Sequence, residues 1–111
     1  MTFIKEVRPH KATIYIAGDV EKAKEVCQAF CDKKGECVTV TPTTYIYTGG
    51  AEEGMAIGFI NYARFPRSCT AIDNRALSLA ELLLKELEQD SVSMVSDNTS
   101  IFLSNRVEDI Q

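Results

Sequence analysis

The chain is poor in the residues that most often run hydrolytic or metal chemistry. It has one histidine, His10, and no tryptophan. Any Ser–His or Cys–His arrangement would rest on that single imidazole. His10 lies between Pro9 and Lys11, where a surface position is expected. Basic residues are not in excess: 12 Lys and Arg stand against 16 Asp and Glu, a net charge of −4. Duplex nucleic acid needs a basic surface, so broad binding of it is excluded. No apolar run approaches the ~20 residues of a membrane span, and the opening MTFIKEV is too polar for a signal peptide. These absences lead to the expectation of a cytoplasmic protein with no membrane partner.

Four cysteines are present, Cys27, Cys31, Cys37 and Cys69. Their C-x3-C-x5-C spacing does not fit a zinc site, which needs convergent ligands at closer pairs. Small apolar side chains kept in reduced form are expected instead, with no metal and no cofactor. Glu52 and Glu53 are adjacent carboxylates, but no second acidic cluster joins them for acid–base or two-metal work. They read as solvated turn acids. Thr48-Gly49-Gly50 matches neither phosphate-loop nor dinucleotide fingerprints. No catalytic residue is assigned.

What is present is a chain of 111 residues that is 45% hydrophobic, enough for one domain over residues 1–111 with a real core. Ala12–Ala17 alternates and predicts a strand. Asp19 is an N-cap for a helix that carries Val20, Ala23, Cys27 and Phe30, and Gly35 ends it. Val38–Thr41 and Thr44–Thr48 read as two strands parted by Pro42. Gly49 to Gly54 reads as a hairpin loop, and Met55–Tyr62 as the returning strand. Thr70-Ala71-Ile72-Asp73 resembles a capping box ahead of a long helix. Its apolar arc runs through Ile72, Ala76, Leu79, Ala80, Leu83 and Leu87, widened by Leu77, Leu82 and Leu84. Ser91–Ser96 and Thr99–Ser104 follow as strands, and the Asp97-Asn98 link suits a type I′ turn. The expected fold is a two-layer α/β (α+β) sandwich, a largely antiparallel sheet with two helices in the order β-α-β-β-β-α-β-β. The wide leucine arc implies a symmetric homo-oligomer built on a dimer, with a hexamer among the larger assemblies compatible with it.

The run from Thr41 to Pro66 is the most informative. It is dense in glycine, hydroxyls and aromatic rings, and it leads into Asn61, Tyr62, Arg64, Phe65 and Arg67. Arginine forks suit phosphate, aromatic faces suit bases, and glycine admits a ligand to the backbone. The competing reading is a plain hairpin followed by a loop of solvated arginines.

The phrases PHKATIYIAGD, CVTVTPTTYIYTGG and GFINYARFP resemble the first-described family of Thoeris anti-defence proteins, phage sponges. Ala63 departs from the proline expected in an NYPRFP phrase. The resemblance implies a non-enzymatic phage protein that sequesters cyclic ADP-ribose isomers made by TIR proteins, with cyclic oligonucleotides as a second ligand class. It places a ligand-binding set at Thr43, Tyr47, Gly49, Asn61, Arg64, Phe65, Arg67 and Arg106. Two other readings stay open: an enzyme that degrades a cyclic nucleotide signal, and a protein–protein inhibitor of a host defence protein.

Overall fold

The computed structural model describes residues 1–110. Five strands and two helices follow in order: β1 (Lys11–Ala17), α1 (Val20–Lys34), β2 (Thr39–Tyr47), β3 (Gly50–Ile60), α2 (Cys69–Glu86), β4 (Ser91–Ser96) and β5 (Ser100–Ser104), with a short 3-10 turn at Val107–Asp109. The sheet order is β2-β3-β1-β4-β5, and every neighbouring pair is antiparallel. The two-layer expectation holds, with one strand fewer. Val38–Thr41 and Thr44–Thr48 are not two strands. Pro42 sits inside β2 opposite Met55. It is tolerated because β2 is an edge strand, so the missing amide leaves no ladder bond unmade.

Local signals explain the ends of α1. The Asp19 carboxylate accepts from the Glu21 and Lys22 amides, and Gly35 closes the helix in the left-handed region at φ 69°. For α2 the N-cap is Ser68, whose hydroxyl accepts from the Ala71 amide. The expected capping box is therefore not used, and Asp73 is free for another role. The helix ends in a Schellman arrangement: Gln89 N–H reaches the Leu84 carbonyl and Glu88 N–H the Lys85 carbonyl. Glu88 occupies its left-handed position at φ 53°, where glycine is usual.

Both turns differ from expectation. The β2–β3 loop is only Thr48-Gly49, because Tyr47 pairs directly with Gly50. Gly49 takes φ 87°, and residues 51–54 extend the strand. The β4–β5 turn is not type I′, since neither Asp97 nor Asn98 has positive φ. Instead the Ser96 hydroxyl accepts from the Asn98 and Thr99 amides.

The helices cover one face of the sheet. Ile14 and Ile16 of β1, Met55, Ile57 and Phe59 of β3, and Val92 and Met94 of β4 meet Phe30 of α1 and Ile72, Leu79 and Leu83 of α2. Leu84 is buried in this core, while Leu77 and Leu82 pack against it. The wide leucine arc is thus largely used within the chain. The opposite sheet face carries no helix. It presents Tyr15, Ala56, Ser93 and Phe102 in one row across four strands. The β2–β3 hairpin runs on beyond the helices and leaves Ile46 exposed. The chain is accordingly elongated, with a radius of gyration of 15.1 Å against about 13 Å for a compact chain of this length.

Candidate functional site

Where β1 ends and β4 begins, the open face is indented. A cleft of about 240 Å³ is bordered by Tyr15, Tyr45, Glu52, Asp90, Ser93 and Arg106. Each arrives for a local reason. Tyr15 lies on the uncovered side of β1, and Ser93 faces it from β4. Tyr45 and Glu52 are partners in the hairpin ladder. The Schellman end of α2 delivers Asp90, and Arg106 follows β5.

Glycine makes room for the Tyr45 ring. A Cβ on Gly54 would lie 2.4 Å from the Ile16 carbonyl oxygen and 2.9 Å from Tyr45 Cε2. The ring therefore lies across Gly54, and its hydroxyl donates to the Met55 carbonyl. Burial pushes the Tyr45 phenol above its ordinary pKa, so it stays neutral at physiological pH.

Charge in the cleft is mixed. Arg106 Nε lies 4.0 Å from Asp90 Oδ2 and Nη1 3.5 Å from Asp109 Oδ2. Its side chain is still 42% exposed. Glu52 has no ion-pair partner among the described residues. Two lining carboxylates against one lining guanidinium leave the cleft net negative.

The residues singled out from sequence fall in two places. Arg106 lines this cleft. Thr43 and Tyr47 flank Tyr45 on the same face of β2, and Gly49 is at the hairpin tip. Asn61, Arg64, Phe65 and Arg67 lie at the other end of β3. That strand has 11 residues, which at ~3.3 Å each span about 36 Å. One chain cannot bring both sets to one small ligand. Asn61 is a structural clamp there: its amide nitrogen donates to the Arg8 carbonyl and its oxygen accepts from the Arg67 amide. Arg67 pairs with Glu36 at 3.3 Å and donates to the Gly35 carbonyl.

Of the residues lining this cleft, Tyr15, Tyr45 and Asp90 were not singled out from sequence, and Glu52 was read as a solvated turn acid. A signal existed for two of them: Tyr15 and Tyr45 are large aromatics on strand faces that also carry Thr13, or Thr41 and Thr43. His10 was misjudged. It is buried, with Nε2 2.7 Å from Asp73 Oδ1 and Nδ1 3.8 Å from Asp97 Oδ2. It joins the start of β1 to α2 and to the β4–β5 turn. The cysteines are unpaired, and only Cys27 is buried; Cys37 is exposed. Among the described residues no group of three or more His, Cys, Asp or Glu is placed to hold a metal, and no helix is long and apolar enough to cross a membrane.

No family model matches the chain, and no curated protein does. Solved structures do. A phage SAM lyase in its apo state superposes with a TM-score of 0.74 at 14% identity, over 95% of this chain and 98% of that one. A phage SAM lyase in complex with S-methyl-5′-thioadenosine gives 0.62 at 12% identity, over 93% and 96%. At such identities the likeness is one of fold. It overturns the non-enzymatic reading all the same. The sponge for cyclic ADP-ribose rested on a likeness of short phrases, whereas the fold, over nearly the whole chain, is one that phage SAM lyases carry.

Proposed function

We propose that this protein is a phage enzyme of the SAM lyase kind, cleaving S-adenosylmethionine with release of S-methyl-5′-thioadenosine in the service of phage anti-defence. The observation that carries the reading is a full-length fold likeness to such lyases combined with a cleft whose charge suits that substrate. S-adenosylmethionine bears a sulfonium, an ammonium and one carboxylate, a net positive charge. The cleft offers Glu52 and Asp90 against Arg106, the complementary balance. A cyclic ADP-ribose isomer, with its two phosphates, would meet repulsion there.

The chemistry also fits a chain without a nucleophile–base pair. When the carbon–sulfur bond breaks, both electrons go to sulfur and the sulfonium becomes a neutral thioether. No acid has to protonate the leaving group. The nucleophile at that carbon can be the substrate's own carboxylate, closing a lactone, so no proton is transferred. The protein then contributes position and field. In this reading Tyr15 and Tyr45 give ring faces to the sulfonium, Glu52 and Asp90 offset the substrate's positive charge, and Arg106 holds its carboxylate.

A homo-oligomer belongs to this proposal. Small-molecule pockets usually measure about 300–1,000 Å³, and the cleft in one chain falls short at about 240 Å³. The uncovered sheet face beside it exposes Tyr15, Val95 and Phe102. A second copy seated there would deepen the cleft and cover those side chains.

The test is direct. The purified protein is incubated with S-adenosylmethionine and the mixture resolved by chromatography. Thioether product should accumulate over many turnovers. Glu52→Gln should slow release about tenfold or more, as expected for a lost charge interaction, with an unchanged melting temperature. Recovery of intact S-adenosylmethionine at high enzyme concentration would sink the reading.

A further inference from the structure

At the far end of β3 lies a larger cleft, of about 430 Å³, between the turn after α1 and the loop after β3. This volume is within the range of small-molecule sites. It shares no lining residue with the cleft beside Glu52. Its apolar walls are Tyr62 and Phe65, and Phe65 is 65% exposed. The Tyr62 phenol is pushed up to about 12, first by the neighbouring Cys37 thiol and then by burial. Tyr62 is therefore a neutral wall.

The charge here is opposite to the first cleft. Glu36 is almost buried and held by both Arg67 at 3.3 Å and Arg75 at 3.4 Å. The same arginines donate to the Gly35 and Lys34 carbonyls. That carboxylate is thus more than neutralised. Arg64 adds a third guanidinium, 5.2 Å from the Phe65 ring centroid, with no carboxylate partner among the described residues. Among the lining residues Arg64 and Arg67 outweigh Glu36, which Arg75 also pairs with from outside the cleft, so the site is positive on a chain of net charge −4. A positive fork on an exposed ring, in a cleft that a second ring also lines, is a receptor for an aromatic face and an anion at once.

We propose that this cleft is a second binding site, for a planar aromatic molecule carrying a negative charge. The ring stacks against Phe65 and Tyr62, and the anion pairs with Arg64. Arg67 and Arg75 act as the frame that holds the wall. The site does not depend on the lyase reading, and its test needs no turnover.

Anilinonaphthalene sulfonate serves as an aromatic anion with a fluorescence readout, and the neutral N-phenylnaphthylamine as its uncharged counterpart. The parent protein should bind the sulfonate at one saturable site. Arg64→Gln should weaken the sulfonate about tenfold, as for a charge-assisted hydrogen bond, and leave the neutral dye unchanged. Arg64→Lys should restore part of the affinity, since it keeps the charge and loses the fork. Phe65→Ala should weaken both dyes. Both positions are exposed, so the variants should fold, which circular dichroism checks. If Arg64→Gln binds the sulfonate as the parent does, the dye sits elsewhere and the proposal is overturned. Equal weakening of both dyes by Arg64→Gln would overturn the anionic preference as well.

Discussion

Gly54→Ala should be among the most damaging small substitutions in this chain. The added Cβ would stand 2.4 Å from the Ile16 carbonyl oxygen and 2.7 Å from Ala17 Cα. Carbon–oxygen contacts between strands normally begin near ~3.3 Å, so β1 and β3 must part by roughly an ångström. Both atoms are backbone at the end of the central strand β1, and neither can swing aside as a side chain does. Overpacking of a core typically costs about 1–3 kcal/mol, and a backbone clash belongs at the upper end. With roughly 4 °C lost per kcal/mol for a chain this size, the melting temperature should drop by about 12 °C. The methyl would also stand 2.9 Å from Tyr45 Cε2. The ring would be displaced from the cleft and its hydroxyl from the Met55 carbonyl, so thioether release should fall with stability. Gly50→Ala is the control. There the nearest atoms belong to the exposed Tyr47 ring, at 3.1 Å and beyond, and a free ring yields at a cost below ~1 kcal/mol. Differential scanning calorimetry of both variants decides the matter. If Gly54→Ala melts within about 2 °C of the parent, the close approach of β3 to β1 is not real and the argument for Tyr45 lapses with it.

Other consequences can be measured on the same protein. His10→Ala should cost about 3 kcal/mol in urea titration, because it opens a cavity and leaves the half-buried Asp73 carboxylate without its partner; a loss under about 1 kcal/mol would mean that the contact contributes little. Glu88→Gly should raise stability by about 0.5–1 kcal/mol, since it relieves a left-handed residue at the end of α2, and a decrease would show that Glu88 makes a contact of greater worth. Burial pushes the Cys27 thiol from 9.0 up to about 11. Deprotonation is then easier in the unfolded chain, so this contribution to stability is full below pH 9 and lost as pH rises toward 11. Limited alkylation near pH 8 should therefore label the exposed Cys37 well before Cys27, which peptide mass spectrometry reads; equal labelling would refute the burial of Cys27.

Much of the fold was legible because its signals are local. Asp19 and Gly35 mark the ends of α1 by side-chain capping and left-handed backbone, and both effects act within one turn. The alternation of Ile14 and Ile16 with Thr13 and Tyr15 follows from the period of a strand. The misreadings came where tertiary context decides. Pro42 breaks a strand only if its amide is needed, and edge position is a property of the sheet. Asp73 looked like a capping residue because His10, 63 positions away, could not be seen beside it. Leu77, Leu82 and Leu84 suggested a subunit interface, but the core and its rim take them up.

The site was harder to read for a geometric reason. Thr41 to Pro66 is continuous in sequence and rich in binding residues, so it reads as one surface. Most of it is strand, and a strand carries neighbours in sequence apart at about 3.3 Å per residue. Its two ends therefore serve two clefts. Near the hairpin, Tyr45 and Glu52 join Arg106 and Asp90 in a net negative hollow. Past Ile60, Arg64 and Phe65 join Glu36 and Arg67 in a positive one. Averaging the two gives an anion-binding loop without catalytic groups, and only the likeness of phrases turned that into a sponge. Separated, they ask for ligands of opposite charge. The lone, buried His10 then loses its force as an argument against catalysis. A reaction whose leaving group departs neutral and whose nucleophile is part of the substrate needs no imidazole. In the proposed reaction the work falls to rings, carboxylates and a guanidinium, and the sheet edge, the Schellman end of α2 and Gly54 hold the side chains assigned to it.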